Sequence, residues 1–116
     1  ATVEADQPRV RPFGAVCEFE DKLYVVTNNE KKVYAQIMEN PKVEISGMSG
    51  DSWIRLEGEL KRDNRIEARQ AMLAANEATL GKLYHADDHK MEVFYFEKGT
   101  ATVYTMQGDA KVHSLD

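Results

Sequence analysis

Apolar residues recur along the first half of this chain with two periods, one alternating and one helical. A helix is predicted from Glu30 to Glu39, because four apolar residues share one helical face and Asn40–Pro41 ends the pattern. The alternating segments predict strands at Ala1–Glu4, Arg9–Phe19, Leu23–Val26, Lys42–Ser46 and Trp53–Leu60. A turn-rich loop is expected between the last two, over Gly47–Ser52.

The second half of the chain predicts one helix and a long β segment. The helix is capped by Asp63 or Asn64 and runs to about Tyr84. β-Branched and aromatic residues fill Met91–Met106, where Gly99 could introduce a bend. A hairpin turn then leads into Lys111–His113. Six or seven antiparallel strands with two short helices predict a mainly β fold, a small barrel with helical covers.

Length and charge narrow the possibilities. The 116 residues suffice for one core, so we expect a single domain over 1–116, and because Ala1 already lies in strand-like sequence we expect an N-terminal element to be missing. A net charge of −5 disfavours a nucleic-acid or anionic-membrane partner, and no apolar run approaches the roughly 20 residues of a membrane span. The lone Cys17 allows no internal disulfide and fits the cytoplasm.

A candidate anion site lies where a predicted strand meets the first helix. Thr27 and Asn28 form a polar cap, and Lys31 and Lys32 open the helix. Cations are normally disfavoured at a helix N-terminus by roughly 0.3–1 kcal/mol each, whereas an anion such as phosphate is favoured there. The alternative is that both lysines are ordinary solvated surface residues.

The long strand before this site has an unusual composition. Arg9 and Arg11 share a face, Pro12 cannot donate to a strand ladder, and Gly14 would let a ligand approach the backbone. The alternative is an edge strand that its charges protect from unwanted pairing.

Several segments together carry a resemblance to a known family. They are Thr2–Glu4, Gln7–Phe13, Leu23–Asn29 with Lys31–Lys32, Asn40–Val43 and Trp53–Gly58. In this order and spacing they resemble the pyridoxamine 5′-phosphate oxidase-like family, in particular its short members, which are FMN-binding split barrels. No single motif is diagnostic, but the resemblance spans nearly the whole chain.

The resemblance implies a homodimer with FMN at the subunit interface. The segment from Arg11 through Pro12, Phe13 and Gly14 would lie along the flavin, with the arginine reaching the phosphate. The other positions implied to bind the cofactor are Thr27 and Asn28 beside the flavin, Lys31 and Lys32 on the phosphate, and Trp53 near the ring system of the partner subunit.

The implied activity is that of a small flavin-dependent oxidoreductase, using a small-molecule electron donor or acceptor. Oxidation of pyridoxamine phosphate is not expected, because Val16 stands where the oxidase has a lysine and the chain ends without the oxidase's arginine-rich tail. The alternative is a non-catalytic carrier of flavin or of a haem-type ligand.

The remaining reactive residues form no recognisable catalytic set. His85 and His89 flank two aspartates and could bind a metal, but the charge-rich sequence after a helix favours a solvated loop, and His113 is expected at the surface. Cys17 is expected to be a buried spectator thiol. The lack of an evident general acid or base suits a flavoprotein, in which the cofactor carries the redox chemistry.

Overall fold

The computed structural model describes residues 1–116 and is mainly β, as predicted. Three helices are present: α1 (Lys32–Glu39), α2 (Ile66–Ala75) and α3 (Glu77–Leu80). The eight strands are β1 (Thr2–Glu4), β2 (Gln7–Arg9), β3 (Val16–Phe19), β4 (Lys22–Asn28), β5 (Lys42–Ser49), β6 (Ser52–Asp63), β7 (Met91–Thr105) and β8 (Lys111–Ser114). No helix is long and apolar enough to cross a membrane.

An antiparallel sheet in the order β3-β4-β7-β6-β5 forms the barrel wall. β7 is its longest strand and pairs with β6 along most of its length. On its other edge β7 pairs first with β4 and further along with β8, so this edge is divided between two strands. The separate β1–β2 hairpin meets β5 through backbone hydrogen bonds between Ala1 and Glu44. The result is a split barrel.

The alternation of β4 separates two cores. Val25 faces the barrel interior, where it is fully buried with Phe94, Phe96 and side chains of α1. Tyr24 faces the opposite side and packs with Met72 and other residues beneath α2 and α3. α1 therefore fills the barrel while α2 and α3 cover its outside, and the end of β4 lies between these two layers.

The predicted strand Arg9–Phe19 is wrong as a single element. β2 ends at Arg9, β3 begins at Val16, and Val10–Ala15 joins them without strand pairing. Pro12 lacks the N–H that a ladder needs, and the segment must cross from the small hairpin to the main sheet. We call Val10–Ala15 the crossing segment.

Both predicted helices have different bounds in the structure. α1 begins at Lys32, with Lys31 as its N-cap in extended conformation, rather than at Glu30. The second helix breaks at Asn76 and ends at Leu80, well before Tyr84. Asn76 leaves the helical conformation and its side chain donates to the carbonyl oxygen of Val16, 3.0 Å away, which ties the break to β3.

The β5–β6 hairpin and β7 also differ in detail from the elements predicted for them. The expected loop Gly47–Ser52 shrinks to a two-residue turn with Gly50 at φ +60°, because β5 continues to Ser49. β7 is one strand, and its irregularity lies at Glu97 rather than at Gly99. Gly99 instead pairs with Gly58. A Cβ added to Gly58 would lie 2.0 Å from the carbonyl oxygen of Lys98.

Candidate functional site

A cleft of about 310 Å³ lies between the crossing segment, the end of β4, the start of α1 and the α3 region. Six of the nine residues predicted to bind a cofactor line it: Arg11, Pro12, Phe13, Gly14, Thr27 and Lys31. Small-ligand pockets commonly start at about 300 Å³ and combine apolar walls with a few polar groups. Its lining includes no carboxylate, histidine or thiol.

The crossing segment forms one wall of this cleft. Gly14 is exposed there, and a Cβ added to it would meet no atom within 4 Å. The open space beside Gly14 lets a flat ligand approach the backbone closely. The apolar side chains of Val26, Val33 and Leu83 contribute to the other walls.

Arg11 is held in place at this wall by neutral groups. Its Nη1 donates to the Thr2 hydroxyl at 2.7 Å and its Nη2 donates to the Gln36 side-chain oxygen at 2.7 Å. No carboxylate lies within ion-pair distance of Arg11. Burial lowers the pKa of the guanidinium, which nevertheless stays charged, since arginine does not deprotonate in proteins.

The N-terminus of α1 adds further positive potential. Lys31 lines the cleft, and Lys32 follows it at the first helical position. The first turn contains no acidic residue and the N-cap side chain makes no capping bond. The backbone N–H groups of Lys32 and Val33 donate no hydrogen bond within the chain. This end of the helix therefore offers free donors and two cations to an anion.

Thr27 and Asn28 have different roles at the end of β4. Thr27 is buried and lines the cleft, and its hydroxyl has no partner within the chain. Asn28 accepts a hydrogen bond from the Glu30 N–H at 3.0 Å and donates to the Tyr84 hydroxyl at 2.8 Å. Asn28 thus shapes the turn before α1 and fixes Tyr84, another lining residue.

A second cleft of about 360 Å³ lies on the other side of the crossing segment. It shares the wall formed by Arg11, Pro12 and Phe13, and its lining includes the buried side chains of Ile37 and Leu60. Arg11 is therefore placed between two clefts rather than at the edge of one.

Trp53 lies away from both clefts of its own chain. It sits on β6, where its ring stacks on Tyr104 with a centroid separation of 5.4 Å and an interplanar angle of 10°. Arg55 lies over the same Tyr104 ring at 5.1 Å. The exposed side chain of Met48 is the cross-strand neighbour of Trp53. Within one chain, Trp53 belongs to an uncovered sheet surface and not to the cleft.

The other reactive residues also lie outside the cleft. Cys17 is buried under α2, and burial raises the pKa of its thiol. His85 and His89 belong to a turn in which the Asp88 carboxylate accepts the backbone N–H groups of His85, Lys90 and Met91. No group of three potential metal ligands occurs in the chain.

Sequence reasoning missed the lining residues of α3 and the chain after it, together with three apolar residues on the other walls. The unpredicted lining residues are Ala15, Val26, Val33, Thr79, Leu80, Leu83 and Tyr84. Leu83 is 69% exposed in the structure and lies beyond the end of α3. Periodicity assigned it to a continuing helix, and that assignment hid its position on a cleft wall.

Comparisons with known proteins found one family model and several similar structures. The family model described as pyridoxamine 5′-phosphate oxidase matches residues 1–107. A NimC/NimA family protein from Clostridium acetobutylicum is 50% identical, with a TM-score of 0.94; the alignment covers 98% of this chain and 80% of that one. No curated protein matches the chain.

Two more distant structures share the fold alone. A protein related to general stress protein 26 of Bacillus subtilis, of the pyridoxinephosphate oxidase family and from Clostridium acetobutylicum, is 14% identical with a TM-score of 0.67, covering 97% of this chain and 80% of that one. A pyridoxamine 5′-phosphate oxidase-related, FMN-binding protein from Nostoc punctiforme is 14% identical with a TM-score of 0.62. The alignment covers 99% of this chain and 84% of that one.

Proposed function

This chain belongs to the pyridoxamine 5′-phosphate oxidase family, and on that premise we propose that it binds FMN and acts as a small flavin-dependent oxidoreductase. One observation carries the proposal. Arg11–Gly14 and Lys31, which are 17 to 20 positions apart in the sequence, line one cleft together with the unpartnered hydroxyl of Thr27.

The residues of this cleft fit a flavin mononucleotide. Lys31, Lys32 and the free N–H groups of the first turn of α1 supply the positive end that a phosphate requires. Arg11 adds a third cation without a carboxylate partner. The space beside Gly14 and the apolar walls suit a planar ring, and the Thr27 hydroxyl supplies a polar contact at the ring edge.

The flavin, when bound, would supply the redox chemistry, transferring electrons between a small donor and a small acceptor. The residues of this chain bind the flavin and orient it. Pro12 and Phe13 shape the wall, and backbone groups around Gly14 contact the ring edge. Because no carboxylate or histidine lines the cleft, no side chain there is assigned as a general acid or base.

The substrate of this protein is proposed to differ from that of the oxidase proper. Val16, which stands where the oxidase has a lysine, is the first residue of β3 and is 53% exposed. It offers no charge to the phosphate of a pyridoxamine substrate. A cytoplasmic location is proposed on the basis of the single reduced cysteine.

A homodimer is proposed because apolar side chains are exposed on the sheet surface around Trp53. The Trp53–Tyr104 pair is flanked by the exposed side chains of Met48 and Met106. Covering such a surface with a second copy is the commonest solution among soluble proteins. Titrating FMN into apoprotein should then quench the emission of Trp53, the only tryptophan, and sedimentation should give a dimer. A monomeric flavin-loaded protein at micromolar concentration would contradict this assembly.

The visible absorption spectrum of the purified protein tests the cofactor assignment. Bands of oxidised flavin, and release of FMN rather than riboflavin on denaturation, are expected. Steady oxidation of NAD(P)H with an added acceptor would then support an oxidoreductase. A flavin-loaded protein that turns over no donor with any acceptor would instead identify a carrier, and a protein that takes up no flavin would refute the proposal.

A further inference from the structure

Three elements converge on the Arg11 guanidinium through a closed triangle of hydrogen bonds. The hydroxyl of Thr2, on β1, donates to the side-chain oxygen of Gln36, on α1, at 2.5 Å. The same hydroxyl accepts from Arg11 Nη1, and the same Gln36 oxygen accepts from Arg11 Nη2, both at 2.7 Å. Thr2 and Gln36 are 4% and 6% exposed, so the triangle is largely closed to water.

The hydrogen-bond triangle holds the Arg11 guanidinium in place without neutralising its charge. Both acceptors are uncharged, whereas the neighbouring Arg9 pairs with the Glu4 carboxylate at 3.0 Å. Charge-assisted bonds orient the guanidinium plane, because its donors have a rigid fork geometry. A carboxylate in place of Gln36 would orient it equally well but would cancel most of its attraction for an anion.

Two donors of the same guanidinium are left over. The bonds to Thr2, Gln36 and the Arg9 carbonyl oxygen use Nη1 and Nη2, while Nε–H and one Nη2 hydrogen have no acceptor in the chain. Arg11 lies in the wall shared by both clefts. Keeping a half-buried, oriented cation without a counter-charge costs the fold some stability, which indicates a role in binding.

We propose that Thr2 and Gln36 are positioning residues that hold Arg11 ready for the phosphate of the cofactor and thereby set the preference for a phosphorylated flavin. The proposal rests on the proposed function, since it assigns FMN to the cleft. It adds two residues, neither of them a cation, to the determinants of cofactor specificity.

The ratio of the dissociation constants for riboflavin and FMN is the decisive measurement, because a loss of general structural integrity weakens both ligands alike. Thr2→Val keeps the side-chain shape and removes the hydroxyl. We expect it to lower the ratio about three- to tenfold, less than the loss of a direct hydrogen bond to a charged group, because the hydroxyl acts on the phosphate only through Arg11. Thr2→Ser should restore the ratio. Arg9→Met is the matched control, because that arginine already has a carboxylate partner, and it should leave the ratio unchanged.

Gln36→Glu tests the importance of a neutral acceptor. The new carboxylate would pair with Arg11, so the ratio should fall about tenfold or more, as for the loss of a charge-assisted contact. Lowering the pH to protonate the new carboxylate should move the ratio back toward that of the unaltered protein. In an Arg11→Met background, Thr2→Val should have no further effect on the ratio.

Two results would overturn the inference while leaving the proposed function intact. One is equal weakening of FMN and riboflavin by Thr2→Val. The other is an unchanged ratio in Gln36→Glu. A readout that needs no flavin is nitrogen-15 NMR of the arginine side chains in the apoprotein. Arg11 should give a signal of restricted rotation that Thr2→Val broadens or shifts, and a freely rotating Arg11 in the unaltered apoprotein would refute the positioning role whether or not any flavin binds.

Discussion

Arg11 and Arg65 occupy opposite electrostatic situations in this small protein. Arg65 donates to both oxygens of Asp63, at 3.1 and 2.9 Å, and to Glu20 at 2.7 Å. Tyr24 completes the group by donating its hydroxyl to Asp63 at 2.7 Å. In this Asp63 cluster (Glu20, Tyr24, Asp63 and Arg65) each charged group has an opposite charge beside it.

Arg11 has neutral partners only, and the lysines near it have no ion pairs. The paired charges of the Asp63 cluster stabilise the fold, whereas the unpaired charges around Arg11 are available to a ligand. The pKa values agree: the Arg65 hydrogen bonds lower the pKa of Asp63 to about 2, while burial is the only cause acting on the pKa of Arg11. Substitutions in the Asp63 cluster should therefore affect stability, and substitutions in the cleft should affect binding.

The strongest test of this division is Asp63→Ala. It leaves the buried Tyr24 hydroxyl without its acceptor and removes the carboxylate that Arg65 grips. We expect the free energy of unfolding to fall by about 2 kcal/mol, mainly the cost of leaving the buried Tyr24 hydroxyl unsatisfied, because the Arg65 side chain is half exposed. Urea denaturation measures the change. The riboflavin-to-FMN ratio of dissociation constants should be unaffected, and a large change in that ratio would break the division.

A matched control for Asp63→Ala uses an exposed ion pair. Lys61 and Glu97 lie 3.3 Å apart with side chains about half exposed. Glu97→Ala should cost less than about 1 kcal/mol, since exposed pairs contribute little. If both variants lost a similar amount of unfolding free energy, the Asp63 cluster would contribute no more to stability than an exposed ion pair.

The converse test is Gly14→Val, which should affect binding and spare the fold. A Cβ at this position meets nothing within 4 Å, so the apoprotein should unfold at an unchanged urea concentration. The valine side chain would occupy the space where the ring is proposed to lie. FMN and riboflavin should both weaken about 10- to 100-fold, as for a steric cost of 1–3 kcal/mol. Cys17→Ser, under α2 and away from the cleft, should leave flavin affinity unchanged.

A smaller and more selective effect is expected from Lys32→Ala. Loss of one charge-assisted contact to a phosphate should weaken FMN about tenfold, while riboflavin, which lacks the phosphate, should be nearly indifferent. Fluorescence titration of both flavins gives the two constants. Lys42→Ala, an exposed lysine on β5, is the control and should change neither. Equal losses for both flavins in Lys32→Ala would refute the phosphate assignment at α1.

The sequence predicted the paired elements and the cationic helix start, because both are local. Alternation located β4, β5 and β6, β-branched and aromatic content located β7, and Lys31 and Lys32 stand where the first helix begins. It missed what depends on distant contacts. Asn76 breaks the second helix by bonding to Val16, and Arg11 turns toward Thr2 and Gln36, which no local pattern encodes. The apolar wall near Leu83 was missed for the same reason, since it forms only when the chain after α3 packs against the crossing segment.

The last test is a dependence of stability on acidic pH, which we expect from the Asp63 cluster. The folded-state pKa of Asp63 is lowered to about 2, chiefly by hydrogen bonds from Arg65, against an unfolded value near 4. A carboxyl group whose pKa is lowered on folding contributes stability above its unfolded pKa, and it loses that contribution as the pH falls toward its folded pKa.

The difference in unfolding free energy between the unaltered protein and Asp63→Ala should thus be constant above about pH 5 and shrink between about pH 4 and pH 2. Asp88, whose pKa is also lowered, is present in both proteins and cancels in the difference. A flat Asp63→Ala difference would show that Arg65 does not hold that carboxylate as the folded structure indicates.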